Sequence, residues 1–332
     1  MNIMSSKTFL ILGFFSLFLS FTACKQKSEN EDKASAITKS EKPADALFFK
    51  LSLAQWSLHP LIHDGTIDPL DFARTASEMG FEGIEYVSGF YSEKLKDAKD
   101  PERKMQEILD TLKARSEKYN MRNVLIMVDG EGDLAANDVT ERDKAVENHK
   151  KWIDAASFLG CHSIRVNLFG SDIPEEWQAN SIDALKKLSA YGAEKNINVL
   201  VENHGLLSSN ADLLVEVMRQ VNMENCGTLP DFGNFCLKRE GDARWDADCV
   251  EEYPRYEGVE KMMPYAKAVS AKSYTFNSTG EEELIDYKKM LKIVKEGGYS
   301  GYIGVEFEGE EDSAKEGIQK TKDLLIKAGR KL

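Results

Sequence analysis

Short apolar runs and amphipathic stretches alternate along the chain from about residue 47 onward. Short apolar runs bounded by glycine or polar breaks predict buried strands, whereas apolar positions repeating every three or four residues predict helices. Strands are predicted over residues 47–58, 83–87, 123–128, 163–167, 198–201, 227–230, 266–274 and 302–307. Helices are predicted over residues 69–79, 102–118, 142–159, 175–194, 212–221, 284–296 and 314–327.

This alternation predicts the fold class. Eight strands alternating with helices is the number found in a closed parallel barrel. The competing fold is a doubly wound open sheet, but no glycine-rich phosphate loop follows an early strand. We therefore expect an α/β protein in which residues 46–332 form one (β/α)8 TIM barrel domain.

The N-terminal residues differ in composition from the barrel. Lys7 and the apolar run over residues 9–21 predict a targeting signal, because the run is too short to span a bilayer comfortably. The run ends in Phe21-Thr22-Ala23-Cys24, which resembles the lipobox of bacterial lipoproteins. That resemblance implies a signal peptide over residues 1–23 and a lipidated Cys24; an ordinary signal peptide with an incidental cysteine is the alternative.

Residues 24–45 predict a disordered tether, since they are rich in Lys, Glu, Ser and Ala. A lipid anchor followed by a flexible tether would hold the barrel at a membrane surface outside the cytoplasm. We expect a location in the bacterial cell envelope, on the periplasmic or outer-membrane face, with no membrane contact except through the N-terminal lipid.

Charge and cysteine content narrow the partners and the compartment. The formal net charge of -13 argues against a nucleic-acid partner. Cys236 and Cys249 flank a polar stretch, residues 237–248, that has neither a helical nor a strand period. A disulfide between them suits an oxidising compartment, although the pairing does not follow from sequence alone.

Three predicted strands end in carboxylates. Glu202 and Asp231 directly follow two of them, and Glu306 lies near the end of the last. In a βα barrel these ends meet on one face. One such acid alone would be read as an ion-pair or rim residue, but three together would repel and stay unionised unless a cation joined them. Oxygen ligands suit Mg²⁺ or Mn²⁺, with zinc or cobalt as the alternative if an imidazole also binds.

Several motifs resemble a known family. They are Gly83-Ile84-Glu85, the passage 156–165 around Leu159-Gly160, the strands ending in Glu202 and Asp231, and Gly298-Tyr299-Ser300-Gly301 before Glu306. In this order the motifs resemble the xylose isomerase-like TIM barrels over residues 50–328. That superfamily contains sugar isomerases and epimerases, inosose dehydratases and endonuclease IV-type enzymes. More closely, the chain resembles exported members of the sugar phosphate isomerase/epimerase type.

The resemblance implies a metal bound by Glu202, Asp231 and Glu306, but the chain departs from the family pattern. Ser270 occupies the position where relatives usually carry a histidine or glutamine, and serine is a poor ligand. Asn234 also stands where relatives commonly have a histidine. His204 is therefore open to two interpretations, as the missing imidazole ligand or as a substrate contact.

Lys272 is also open to two interpretations. It lies two residues after Ser270 and so points to the same side of its strand. Desolvation would lower its pKa and suit it to proton transfer or to stabilising an enolate oxygen. Alternatively, its ammonium bridges Glu202 and Glu306 and neutralises them in place of a metal.

Further polar residues near the strand ends are candidate substrate contacts. A rim of salt bridges, in particular Arg165 with Glu85 or Glu202, is the structural alternative. The candidates are His59, Glu85, Arg165, His204 and Asn234.

Together these residues predict an enzyme acting on a small sugar. Glu202 and Glu306, with Lys272 or a metal stabilising the enediolate, would move a proton on a carbonyl sugar, giving isomerisation or epimerisation. Loss of a leaving group would instead give a lyase or dehydratase. The replacement at Ser270 keeps a non-catalytic sugar-binding lipoprotein open. Phosphodiester hydrolysis is disfavoured because it needs a histidine-rich three-metal cluster and the chain has 5 histidines. Substrate identity and oligomeric state stay open.

Overall fold

The computed structural model of the chain describes residues 46–245 and 247–332. The predicted signal peptide, Cys24 and the tether over residues 24–45 lie outside this described part. Within it, no helix is both long enough and apolar enough to cross a membrane.

Eight parallel strands form the wall of the barrel, and two further strands form a separate antiparallel ribbon. The strands are β1 (Lys50–Ala54), β2 (Gly83–Val87), β3 (Arg122–Val128), β4 (Ser163–Val166), β5 (Asn198–Glu202), β6 (Cys226–Leu229), β7 (Cys236–Arg239), β8 (Cys249–Glu252), β9 (Val269–Ser273) and β10 (Tyr302–Phe307). The wall has the order β6-β5-β4-β3-β2-β1-β10-β9. In β3 every residue after Arg122 is buried, as expected where helices and packed interior cover both faces of a parallel sheet.

Isolated bridges connect β6 to β9 across the gap that this order leaves. Thr228 pairs with Ala266 and Asp231 pairs with Ser270, both in the parallel sense. The Ser270 backbone N–H donates to the Pro230 carbonyl at 3.0 Å. These contacts close the sheet, and the predicted (β/α)8 TIM barrel is confirmed.

Helices follow the strands around the wall. They are α1 (His59–His63), α2 (Phe72–Glu78), α3 (Gly89–Lys96), α4 (Pro101–Lys118), α5 (Val139–Leu159), α6 (Pro174–Glu194), α7 (Ala211–Val221), α8 (Arg255–Met262), α9 (Tyr287–Glu296) and α10 (Ala314–Gly329). Helix α5 has typical signals at both ends. The Asp138 side chain accepts the Glu141 N–H in the first turn, and Gly160 ends the helix in a left-handed conformation, φ 75°. The short helices α1, α3 and α8 were not predicted.

The first strand is shorter than predicted. It ends at Ala54, and Gln55–Leu58 form a 3-10 turn instead of continuing the strand. The Gln55 side chain accepts the Val87 N–H at 3.0 Å and donates to the Pro69 carbonyl at 3.0 Å. The Gln55 side chain thus satisfies the Val87 N–H at the end of β2 in place of a backbone carbonyl. The backbone after Ala54 can therefore turn away from the sheet.

Residues 237–248 show neither a helical nor a strand period, but β7 extends into this stretch as far as Arg239 and β8 begins directly after it. Strands β7 and β8 pair as an antiparallel ribbon, and a disulfide of 2.08 Å joins Cys236 to Cys249. The side chains of β8 are all exposed, so the ribbon has no buried face to produce an alternating pattern. The disulfide links the two strands of the ribbon, whose side chains are half-buried or exposed.

Inside the barrel, Glu85 occupies space that a side chain on β10 would otherwise fill. Its carboxylate is buried and accepts the Ser52 hydroxyl at 2.6 Å. A Cβ atom on Gly304 would lie 2.7 Å from both carboxylate oxygens of Glu85. Only glycine therefore fits at position 304.

We expect Gly304→Ala to destabilise the barrel by about 1–3 kcal/mol, because the added methyl overpacks a buried carboxylate. The matched control is Gly89→Ala at the start of α3, where a Cβ would meet its nearest neighbour at 3.9 Å and no strained φ is involved. Urea unfolding measures both. Equal stability of the two variants would show that the Glu85 contact does not constrain position 304.

Candidate active site at the carboxyl ends of the strands

The predicted acids meet at the carboxyl end of the barrel. One oxygen from each of Glu202, Asp231 and Glu306 lies within 4.8 Å of the other two. All three residues are buried, with exposed fractions of 1%, 0% and 2%. We call them the acidic triad. They come from β5, the residues just after β6, and β10, which is the face where barrel enzymes carry their chemistry.

Asp231 is held by the turn that follows β6. The Asn203 side chain donates to the Asp231 carbonyl at 3.0 Å and accepts the Asp231 N–H at 2.7 Å. Oδ1 of Asp231 accepts the backbone N–H groups of Gly233 and Asn234, each at 2.8 Å. The carboxylate is thereby aimed into the barrel with its second oxygen left over.

Glu202 is positioned by an amide and a guanidinium. Its Oε1 accepts the Asn234 side-chain amide at 3.1 Å. Its Oε2 lies 2.8 Å from Nε of Arg165, an ion pair in which the N–H is not aligned for a hydrogen bond. Arg165 also donates to Asp129 at 2.7 Å. Arg165 and Asn234 thus contact a member of the acidic triad directly.

Glu306 is held from both sides by residues of β9. Its Oε2 accepts the Ser270 hydroxyl at 2.9 Å and its Oε1 accepts the Lys272 ammonium at 2.9 Å. Nζ of Lys272 lies 3.0 Å from Oε1 of Glu308 and 4.0 Å from Oδ2 of Asp231. Lys272 was expected to bridge Glu202 and Glu306. It instead bridges Glu306 and Glu308.

The three acids of the triad differ in their pKa values. Burial raises the pKa of Glu202 to about 7, with Arg165 opposing the shift. Burial raises the pKa of Asp231 to about 8, with Lys272 opposing it. Burial acts in the same way on Glu306, but the charge and hydrogen bond of Lys272 outweigh it and hold the pKa of Glu306 below its usual value. Glu306 is therefore ionised at neutral pH, Asp231 is mostly protonated, and Glu202 is divided between the two forms.

The expectation of a lowered pKa for Lys272 is wrong. Burial does act in that direction, but the carboxylates of Glu306, Glu308 and Asp231 reverse it and raise the pKa of Lys272 well above its usual value. Lys272 is fully buried and stays an ammonium ion. It is a source of fixed positive charge and is unsuited to act as a base.

The acidic triad could hold a divalent metal. Oε2 of Glu202 and Oδ2 of Asp231 are buried, and neither has a hydrogen-bond partner within the described part of the chain. Buried carboxylate oxygens that accept no hydrogen bond are costly, and a cation between them would satisfy both. A set of carboxylate oxygens suits Mg²⁺ or Mn²⁺. The residues present fit such an ion.

His204 and His59, the two histidines among the predicted site residues, are not part of the acidic triad. The His204 ring packs against Phe169 at 6.1 Å and Trp245 at 5.2 Å, and its Nδ1 has no hydrogen-bond partner among the described residues. Burial and the charge of Arg165 lower the pKa of His204 to about 4, so its imidazole is neutral. His59 stacks on Trp56 at 4.5 Å. Neither ring joins the cluster of possible metal ligands.

Some site residues were not predicted, although a signal for them was present. Glu308 follows Glu306 by two residues and so shares its side of the strand, which strand alternation alone could have indicated. Asn203 lies between Glu202 and His204 and holds the turn at Asp231. Glu85 is not among the clustered metal-ligand candidates of the described residues and contributes no ligand there; it accepts the Ser52 hydroxyl. Burial raises the pKa of Glu85 to about 8, and the charges of Glu306 and Glu202 add to that shift.

Residues 73–324 match the sequence model of a family described as xylose isomerase-like TIM barrel. The chain belongs to the xylose isomerase-like TIM barrel family. A search of curated protein sequences found no significant match.

Solved structures with the same fold include several other proteins. A D-allulose 3-epimerase from Methylomonas sp. has 15% identity and a TM-score of 0.62, covering 86% of this chain and 100% of that one. A 3-keto-D-glucoside 4-epimerase, YcjR, from E. coli has 14% identity and a TM-score of 0.60, covering 83% and 98%. A zinc-bound IolI protein has 16% identity and a TM-score of 0.59, covering 85% and 99%. At these identities the likeness shows that this family member shares their fold.

We expect Mn²⁺ to bind this family member more tightly as pH rises from about 6 to about 9, because Glu202 and Asp231 must lose protons to bind a metal. The raised pKa values, about 7 for Glu202 and about 8 for Asp231, set the direction of this pH dependence. Below these values the metal-free carboxyl groups carry protons that must leave when the metal binds. Isothermal titration in two buffers of different ionisation enthalpy counts the released protons. A pH-independent affinity without proton release would contradict this account.

Lys272→Met should raise Mn²⁺ affinity by about tenfold or more, because the buried ammonium repels a second cation near the same carboxylates. The metal-free variant should lose about 3–5 kcal/mol of stability, because buried acids are left unpaired. Thermal unfolding with and without Mn²⁺ measures both effects. Lys292→Met, which removes an exposed surface pair with Glu296, is the control. An unchanged or weaker affinity for Mn²⁺ in Lys272→Met would show that Lys272 does not oppose the metal.

Proposed function

We propose that the chain is a sugar isomerase or epimerase that transfers a proton through its carboxylates, with a divalent metal held by Glu202, Asp231 and Glu306. The observation that carries this proposal is the convergence of three buried acids, two of which have an oxygen that accepts no hydrogen bond from the described residues. Structures with the same fold include sugar epimerases, and one is a D-psicose 3-epimerase with D-tagatose from Clostridium cellulolyticum H10. They support an enzyme of this general kind.

The two glutamates have different protonation states, and this difference suits a proton transfer. Glu306, kept ionised by Lys272, is suited to remove a proton from the carbon beside a carbonyl. Glu202, with a pKa of about 7, is suited to return a proton at another position or face. A bound metal would polarise the carbonyl oxygen. Asp231 completes the ligand set.

Neighbouring residues orient the acids and the substrate. Arg165 and Asn234 fix Glu202, and Lys272 with Ser270 fixes Glu306. The neutral imidazole of His204 has a nitrogen that makes no hydrogen bond within the described residues and that suits a sugar hydroxyl. His59 is the second proposed hydroxyl contact. For Glu85 we now propose a supporting role in the barrel interior, because it bonds Ser52 and excludes a side chain at position 304.

The structure changes the weight of the alternatives. Ser270 kept a non-catalytic sugar-binding protein open; it donates a hydrogen bond to Glu306, and in the proposed enzyme it would position that acid. The cluster of possible metal ligands among the described residues contains carboxylates and no histidine, unlike a histidine-rich centre for phosphodiester hydrolysis. A lyase or dehydratase would use the same acids on a substrate with a leaving group.

We propose further that this enzyme is exported and lipid-anchored through Cys24 in the bacterial cell envelope. The proposal rests on the charged start, apolar run and lipobox-like end of residues 1–24. Phosphorylated sugars are chiefly cytoplasmic, so a free or keto sugar suits this location better than a sugar phosphate.

Proton transfer is tested by incubating the Mn²⁺-loaded protein with D-fructose, D-tagatose and D-allulose in deuterated buffer. We expect deuterium at a carbon-bound position by NMR, and a loss of about 10²–10⁴-fold in rate for Glu202→Gln and for Glu306→Gln. Glu216→Gln, which changes an exposed acid paired with Arg219 on α7, is the matched control. Absence of exchange on every sugar, with and without Mn²⁺, would count against an isomerase or epimerase.

A further inference from the structure

The disulfide-closed ribbon, residues 236–252, begins beside the acidic triad. Asn234, which holds Glu202, lies two residues before its first strand. At its base Phe235 stacks on Tyr253 at 6.4 Å, and the Tyr253 N–H donates to the Phe235 carbonyl at 2.9 Å. The base of the ribbon is therefore fixed to the end of β6.

The far end of the ribbon reaches the loops that follow other strands of the wall. Nη2 of Arg244 lies 3.0 Å from Oδ2 of Asp133, after β3, and the guanidinium lies 4.7 Å from the centre of the Phe169 ring, after β4. Trp245 contacts Phe169 at 5.5 Å and His204, after β5, at 5.2 Å. The far end of the ribbon thus contacts residues that follow three neighbouring strands of the barrel, β3, β4 and β5.

Trp245 differs from the two buried tryptophans of the barrel. Trp152 and Trp177 are buried, and their indole N–H groups donate to Glu131 and to the Leu168 carbonyl. Trp245, in contrast, is 41% exposed. Phe169 and His204 contact its ring edge-to-face at 89° and 72°. An aromatic ring that two neighbours contact at its edges and that is partly open to solvent suits a ligand that is apolar on its face and polar at its rim.

His204 relates this ring to the acids. It follows Glu202 by two residues, and its ring lies against Trp245. The chain position of His204 and its ring contact thus link Trp245 to the strand that carries Glu202.

We propose that Trp245 is an outer sugar-stacking residue and that the substrate is a glycoside, with its reacting sugar at the triad and its second ring on Trp245. This inference rests on the proposed function and adds the substrate class to it. The polar pair of Arg244 and Asp133 beside the ring suits the hydroxyl groups of a sugar better than an apolar protein partner, which would need a larger continuous apolar patch.

The test compares the binding of a monosaccharide, D-glucose, with that of disaccharides, cellobiose, maltose and sophorose, to the Mg²⁺-loaded full chain. Tryptophan fluorescence and isothermal titration report binding. We expect at least one disaccharide to bind about tenfold more tightly than D-glucose and to change the emission of Trp245. Failure of all three to bind more tightly than D-glucose would overturn the proposal.

Variants at position 245 test whether the Trp245 ring causes the preference for a disaccharide. Trp245→Ala and Trp245→Leu should bring the ratio of disaccharide to monosaccharide affinity close to one, whereas Trp245→Phe should keep most of it because it retains an aromatic face. Trp245→Leu preserves apolar contact with Phe169, which separates stacking from loss of the ribbon's packing. Leu284→Ala, at a residue that is 60% exposed and lies outside the ribbon, is the control. A ratio unchanged in Trp245→Leu would overturn the proposal.

Deuterium exchange by the wild-type chain on a keto sugar is measured alongside. Absence of exchange together with a disaccharide preference that depends on Trp245 would contradict the proposed chemistry and leave the stacking residue in place. Exchange without any such preference would leave the chemistry in place and contradict the stacking residue.

Discussion

The site depends on the repulsion between three buried carboxylates and on the positive charges that offset it. Glu202, Asp231 and Glu306 lie close enough that full ionisation of all three without a cation would be strongly unfavourable. Lys272 stabilises the ionised form of Glu306, and Arg165 partly compensates Glu202. Among the described residues, one oxygen of Glu202 and one of Asp231 still accept no hydrogen bond, and one more cation would satisfy both.

The same residues also close the barrel. Asp231 pairs with Ser270 across the gap between β6 and β9, and Ser270 in turn donates to Glu306 on β10. The fold and the chemistry are thus linked at one place, because a shift of β9 would move the hydroxyl and the ammonium that hold Glu306. A site built on strand ends in this way is more rigid than one built on loops alone.

Much of this arrangement was predictable because it repeats along the chain. Each buried strand is a short apolar run, so the acids at the ends of three such runs could be placed on one face before the fold was known. The end of β1 was predicted too far along, because its turn depends on the Gln55 side chain bonding Val87, a contact between residues distant in sequence.

Other features were beyond the reach of sequence patterns for related reasons. The direction of the Lys272 pKa depends on three acids from different elements arriving around one ammonium, and burial alone suggests the opposite sign. The ribbon that carries Trp245 has no buried face, so nothing in its periodicity marks it as paired strands. The supporting role of Glu85 depends on glycine at position 304 of another strand.

The most direct measurement is an anomalous difference map from crystals of the chain soaked in Mn²⁺ at a pH of about 8.5, above the raised pKa values of the acids. The account predicts one strong peak within about 2.0–2.3 Å of an oxygen from each of Glu202, Asp231 and Glu306. No peak at the triad, with the three carboxylates and Lys272 in the same places, would contradict it.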